Sequence, residues 1–203
     1  MDSGSQNKNY QRALDEIISE ITSEGRRPKL LLHSCCGPCS SYCLTYLREF
    51  FDITLYYYNP NIYPPEEYEH RLSEQKRLLG FFDDVSYMDS SYDHSEFTEY
   101  VKGLEGEPEG GARCRKCFEL RLQETARAAK EGGFDYFATT LTISPHKNAF
   151  VINSVGEDIE KSMEGAKWLP ADFKKRDGYK KSIELSDKYG LYRQDYCGCE
   201  FAK

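Results

Sequence analysis

KLLLHSCCGPCSSYC, residues 29–43, joins a short apolar run to a cysteine-bearing turn and then to a stretch suited to helix. Lys29 to His33, bounded by turn residues, predicts a buried strand. Pro38, tolerated in a first helical turn, opens a predicted helix that runs to Phe50. Asp52 to Tyr58 is rich in β-formers and predicts a second strand. Working outward, Val85 to Met88 and Tyr136 to Thr140 predict a third and a fourth strand. Upstream, Tyr10, Leu14, Ile17, Ile18 and Ile21 recur at helical spacing, with Gly25 placed to stop the helix. Further helices are predicted from Pro65 to Leu79, His94 to Lys102, Cys114 to Lys130, Asn148 to Gly165 and Gly178 to Tyr189, with an irregular tail from Gly190. Strands separated by helices predict an α/β fold, a Rossmann-like parallel sheet covered on both faces, in a single domain over residues 1–203. Such sheets bind ligands at the carboxyl ends of their strands. Ser34 to Ser41 and Thr140 to Asn148 should therefore meet at one rim.

The 203 residues carry 27 Lys plus Arg against 34 Asp plus Glu, a net charge of -7. An acidic chain has no global attraction for nucleic acid, so any phosphate contact must be local. The longest apolar stretch, Phe50 to Tyr58, is interrupted by Asp52 and Thr54 and falls short of the roughly 18 to 20 residues that span a bilayer. No membrane association is expected. Met1 to Asn9 is polar without an apolar h-region, which predicts a cytoplasmic protein with reduced thiols. Sixteen Tyr and 11 Phe supply enough burial for a core without disulfide staples.

All eight cysteines fall in three tight groups: Cys35, Cys36, Cys39 and Cys43; Cys114 and Cys117; Cys197 and Cys199. Cysteine used as a small core residue would be scattered. Cys39 and Cys114 lie where helices are predicted to start, and a helix N-terminus favours the thiolate. Gly198 allows the backbone to turn both sulfurs of Cys197 and Cys199 toward one point. A zinc ion on CxxC plus CGC, stabilising an RNA-binding module, would use four ligands and leave the first group idle. A thiol-disulfide oxidoreductase would need only Cys36 and Cys39 of CGPC. Thiolate sites with more than four sulfurs favour an iron-sulfur cluster, with a second thiolate-bound iron beside it. Cys35 and Cys36, adjacent in extended backbone, are expected to point apart and so to serve two neighbouring metals. Cys43 is read as core or as a neighbour of the ligands.

ATTLTISPHKN, residues 138–148, leaves the fourth strand with Ser144, His146, Lys147 and Asn148 at a turn before a helix. Such a turn can bind phosphate or hydroxyl through Ser144 and Asn148, with His146 or Lys147 as proton donor, or simply cap the helix. His33 is expected in the core. Lys174 and Lys175, in ADFKKRDGY, give the best local patch for nucleic acid.

Taken together, LLLHSCCGPCSSY, YYYNPNIYP, RCRKCFELRL, ATTLTISPHKN, ADFKKRDGY and YGLYRQDYCGCEFA resemble the QueH-type epoxyqueuosine reductases from Leu30 to Ala202. The resemblance implies an oxidoreductase of tRNA modification that removes the epoxide oxygen of epoxyqueuosine, at the wobble position of transfer RNA, to give queuosine. It implies the adenine nucleotide α-hydrolase-like (HUP) branch of Rossmann folds, with His33 to Pro38 where that branch commonly has an SGGxDS phosphate loop, which argues against ATP use. It also implies a 4Fe-4S cluster and one additional mononuclear iron, held by Cys35, Cys36, Cys114, Cys117, Cys197 and Cys199. Cys39, where some members have Asp, is implied as a ligand of the second iron. The implied partners are epoxyqueuosine-containing tRNA and an external electron donor. A flipped wobble base would need an aromatic platform, for which Tyr57 and Tyr58 are candidates, although aromatics in a strand are more often core.

Overall fold

The computed structural model describes residues 8–202; residues 1–7 of the predicted domain and most of the polar N-terminal stretch lie outside the described residues, as does residue 203. Among the described residues the chain builds a five-stranded, all-parallel sheet in the order β3-β2-β1-β4-β5. The strands are β1 (Lys29–His33), β2 (Asp52–Tyr56), β3 (Ser86–Met88), β4 (Tyr136–Thr139) and β5 (Lys167–Trp168). The helices are α1 (Tyr10–Ser23), α2 (Gly37–Leu47), α3 (Pro65–Leu79), α4 (His94–Tyr100), α5 (Ala112–Glu131), α6 (Ala149–Ser162) and α7 (Gly178–Tyr189). The Rossmann-like α/β class expected from the alternation is the observed one.

The pleat sorts the two faces. Leu30 and Leu32 of β1, Ile53 and Leu55 of β2 and Ala138 of β4 join a core with residues of α1, α2 and α7. Leu31, Tyr56 and Phe137 point the other way, into a core with Phe118, Leu122 and Ala129 of α5 and Ile152 and Val155 of α6. Burial on both faces is what an all-parallel sheet requires, and it explains the uninterrupted leucines of β1.

Several boundaries differ from expectation; α2, expected to run to Phe50, ends at Leu47. The second strand stops at Tyr56 because its partner β1 ends opposite, at His33. Tyr57 and Tyr58 continue as buried loop. The two-residue β5 was not anticipated: Lys167 and Trp168 extend the sheet beyond β4, and α6 ends at Ser162 rather than Gly165. Two residues are too few to show a period of two.

The close approach of α7 to α2 depends on Gly178. A Cβ there would lie 1.8 Å from the Phe173 carbonyl oxygen and 2.6 Å from Tyr42 Cε1. Backbone cannot yield as a flexible side chain can. Gly178→Ala is expected to lower stability by about 2 to 4 kcal/mol in urea unfolding, and an unchanged midpoint would contradict this packing.

Candidate metal centre

The strand order reverses between β1 and β4, and there the segments after both strands meet. The Cys35 amide donates to Thr140 Oγ1 (3.2 Å), and Thr140 Oγ1 lies 3.4 Å from Cys35 Sγ. This is the crevice in which open parallel sheets bind ligands, and the predicted rim is the observed one.

Cys35, Cys36 and Cys39 bring their three sulfurs within 4.8 Å of one another. The expectation that Cys35 and Cys36 point apart is corrected: their Sγ atoms are 3.8 Å apart. Side-chain alternation applies within a strand, but β1 has ended at His33, and Cys36 is already the N-cap of α2. Cys39 follows in the first turn of α2, where the helix dipole favours negative charge. Metal-sulfur bonds of about 2.3 Å in a tetrahedron set neighbouring sulfurs about 3.8 Å apart, which is the separation of Cys35 and Cys36, with Cys39 within 4.8 Å of both. Hydrogen bonding with Cys36 and Cys39 holds the Cys35 thiol well below its ordinary range, against the opposing effect of burial. The same shared hydrogen bonds and negative charge push Cys36 and Cys39 up.

Four of the remaining five cysteines, Cys114, Cys117, Cys197 and Cys199, line a second, adjoining cavity of about 100 Å³. They do not crowd as the trio does. Among the described residues, the trio is the one group of three or more metal-ligating side chains within 4.8 Å. A wider ring of four thiolates suits a polynuclear cluster better than one ion. Cys114 and Cys117 come from the first turns of α5, and the Gly110 amide donates to Cys114 Sγ (3.2 Å). Burial pushes the Cys117 thiol up to about 12, opposed by the charge of Arg121. Cys43 is buried in the apolar core beside Leu44 and Leu47, as read from sequence.

The larger cavity, about 380 Å³, is lined by the trio and by Arg71, Arg121, Tyr179 and Tyr196. The two cavities share Glu109, His146, Lys147 and Cys197 as a common wall. His146 is exposed and Lys147 partly buried. Burial lowers the Lys147 pKa, but the thiolates of Cys197, Cys35 and Cys39 outweigh it and the net direction is up. Ser144 lines the larger cavity. Asn148 lines the smaller one, while its Oδ1 accepts from the Phe150 and Val151 amides as the N-cap of α6.

Two expectations change. Lys174 is not a free phosphate ligand: its ammonium donates to the carbonyls of Thr142 (2.8 Å) and Lys147 (3.4 Å), with Asp172 3.2 Å away, and so supports the ISPHK turn from beneath. Lys175 is exposed. Tyr57 and Tyr58 are not on the cavity wall: Tyr57 packs on Tyr68, and Tyr58 stacks on Tyr56 with its hydroxyl on Glu96. The rings that line the cavity are Tyr179 and Tyr196. His33 is fully buried as expected, and burial, then the charge of Arg121, lowers its pKa to about 3. Its ring spans Thr139 Oγ1 (2.8 Å) and the Tyr58 carbonyl (3.0 Å), which ties β1 to β4 and to the loop after β2.

Residues that sequence reasoning missed hold the tail in place. Arg71, paired with Glu67, donates to the Cys197 carbonyl (3.2 Å). Arg113 donates to the Phe201 carbonyl (3.1 Å), and His94 Nε2 lies 2.9 Å from Glu200. Only Arg113, next to Cys114, had a neighbour in sequence to mark it. Gly198 has φ +91, a backbone conformation that L side chains rarely adopt, and a Cβ there would lie 2.9 Å from Arg71 Nη1, displacing the guanidinium that holds the tail. Gly198→Ala should therefore loosen the tail at a cost of about 1 to 3 kcal/mol. Alkylation of the metal-free protein, mapped by mass, should then be faster at Cys197 and Cys199 and unchanged at Cys43; equal rates throughout would contradict the clamp.

A family model described as epoxyqueuosine reductase QueH matches residues 30–203. The epoxyqueuosine reductase QueH of Streptococcus pyogenes serotype M1 is 47% identical over 199 residues, 96% of this chain and 78% of that protein. That of Staphylococcus epidermidis is 46% identical over 201 residues, 96% of this chain and 84% of that protein. That of Thermotoga maritima is 35% identical over 177 residues, 85% and 89% respectively. Among solved structures, the U34-tRNA thiolase NcsA from Methanococcus maripaludis, with its [4Fe-4S] cluster, superposes with TM-score 0.58 at 13% identity, over 96% of this chain and 67% of that one. That likeness is one of fold.

Proposed function

Because the chain belongs to the epoxyqueuosine reductase QueH family, we propose that it removes the epoxide oxygen of epoxyqueuosine in transfer RNA, leaving the alkene of queuosine and one water. The reaction consumes two electrons and two protons, and side chains alone do not supply such electrons. The observation that carries the reading is the convergence of seven thiols on two cavities with one common wall. The donor set fits two metal groups: Cys114, Cys117, Cys197 and Cys199 would hold a 4Fe-4S cluster, and Cys35, Cys36 and Cys39 a single iron. When bound, the cluster supplies one-electron transfer from an external donor and the single iron supplies Lewis acidity.

The chain's own residues do the rest. Tyr179 and Tyr196 offer rings to an unstacked base, and Ser144 offers a hydroxyl to the substrate. Lys147, on the wall between the cavities, holds a proton for the departing oxygen, and exposed His146 returns one from solvent. Lys175 provides a local cation for the tRNA backbone despite the acidic whole. Among the described residues no helix is long and apolar enough to cross a membrane. A zinc-stabilised module or a dithiol oxidoreductase would leave three or more of the converging thiols without a task. Protein loaded anaerobically with iron and sulfide, given a strong reductant and epoxyqueuosine-containing tRNA, should yield a nucleoside lighter by about 16 mass units, one oxygen. No mass change with fully loaded protein would refute the activity.

A further inference from the structure

We propose that Arg121 is a positioning residue set between the two thiolate groups, whose guanidinium raises the reduction potential of the cluster held by Cys114, Cys117, Cys197 and Cys199. This rests on the reading that those thiols hold an iron-sulfur cluster. Arg121 is 2% exposed and forms no ion pair with a carboxylate among the described residues. Its Nη2 donates to Asn59 Oδ1, its Nε lies 3.4 Å from His33 Nε2, and its Nη1 lies 3.9 Å from Cys117 Sγ. Neither an imidazole nor an amide side chain carries negative charge, so neither His33 nor Asn59 balances the cation. A buried charge persists only where an opposite one compensates it. The nearest groups able to do so are cysteine sulfurs that carry negative charge as metal ligands: Cys117 Sγ is 3.9 Å away, and Cys35 and Cys197 line the same cavity as Arg121.

The neighbouring cations are placed differently. Arg71 is paired with Glu67, Arg113 is spread over backbone carbonyls of the 104–107 loop and the tail, and Lys147 is partly exposed. Arg121 alone among them combines deep burial with a direct approach to sulfur. It follows Cys114 and Cys117 on one face of α5, at spacings of seven and four residues. It also lines the cavity of the trio, so one guanidinium faces both groups. Reduction adds an electron to an already anionic site, and a nearby cation that donates toward a ligating sulfur favours the reduced form. Without it, an external donor would fill the cluster less readily.

The test compares wild type, Arg121→Gln, Arg121→Lys, Asn59→Asp and the exposed control Arg127→Gln, each reconstituted anaerobically, assayed for iron and sulfide, and titrated for its midpoint potential by EPR. Arg121→Gln should lower the reduced-to-oxidised ratio at the wild-type midpoint about tenfold, a shift of about 59 mV for one electron. Arg121→Lys should stay near wild type, and Arg127→Gln should not move. Asn59→Asp keeps the arginine and sets a carboxylate against it, so it should shift the potential downward too, and it decides the matter if Arg121→Gln fails to fold. Loaded Arg121→Gln or Asn59→Asp at the wild-type potential would overturn the proposal, as would equal shifts in the Gln and Lys variants, which would mark a packing effect. Wild-type protein that takes up no iron would sink the metal reading as well, and so is distinguishable from failure of the arginine's role alone.

Discussion

Cys117→Ser is expected to bleach the anaerobically reconstituted protein, lower its cluster iron and sulfide at least tenfold, and reduce turnover to background. Cys117 is buried, sits one turn into α5 and lines the smaller cavity with three other thiols. Serine matches its shape but is a poor ligand for iron, because soft thiolate is what such clusters select. The fold itself should survive: the exchange opens no cavity, and unfolding of the metal-free variant should stay within about 1 kcal/mol of wild type. A brown variant with full iron and sulfide would remove Cys117 from the ligand set. Under a dithiol mechanism confined to Cys36 and Cys39, the same substitution would be silent.

Cys35→Ser is expected to separate colour from turnover. The trio lines only the larger cavity, while all four of the quartet line the smaller one, so loss of one trio sulfur should leave the brown colour and the four cluster irons intact while about one iron per chain is lost. Lewis-acid polarisation of a reacting oxygen contributes several kcal/mol, and each 1.36 kcal/mol is tenfold in rate, so product formation should fall at least about a hundredfold. Measuring iron content, visible absorbance and released queuosine on one preparation checks all three. Cluster loss in this variant would mean that Cys35 holds the cluster and that the division between trio and quartet is wrong.

The strands and helices that place the site were legible because each carries a local signal. The leucines of β1 mark a buried strand, Pro65 opens α3, and the glycines after α1 and α5 stop them. The meeting of the segments after β1 and β4 followed from parallel-sheet topology rather than from either segment alone. What was not legible depends on distance across the chain. Nothing in the charged run of α3 sets Arg71 apart from Arg77, yet the first is buried under the CGC tail and the second lies on the surface. Lys174 reads from sequence as part of a local nucleic-acid patch because the carbonyls that hold it lie 27 and 32 residues away. The pairing of Cys35 with Cys36 was misjudged by carrying strand alternation one turn past the end of β1. Tyr57 and Tyr58 are core, as aromatics of a predicted strand usually are, and the rings that line the cavity come instead from α7 and the tail, which no local signal ties to the site.

The central claim is that thiols far apart in sequence converge to hold iron in two adjoining places, and metal stoichiometry with Mössbauer spectra on anaerobically reconstituted protein tests it most directly. About five irons and four inorganic sulfides per chain, with one iron spectroscopically distinct from the cluster, is the predicted result. A colourless protein that binds one zinc ion and retains no sulfide would contradict it.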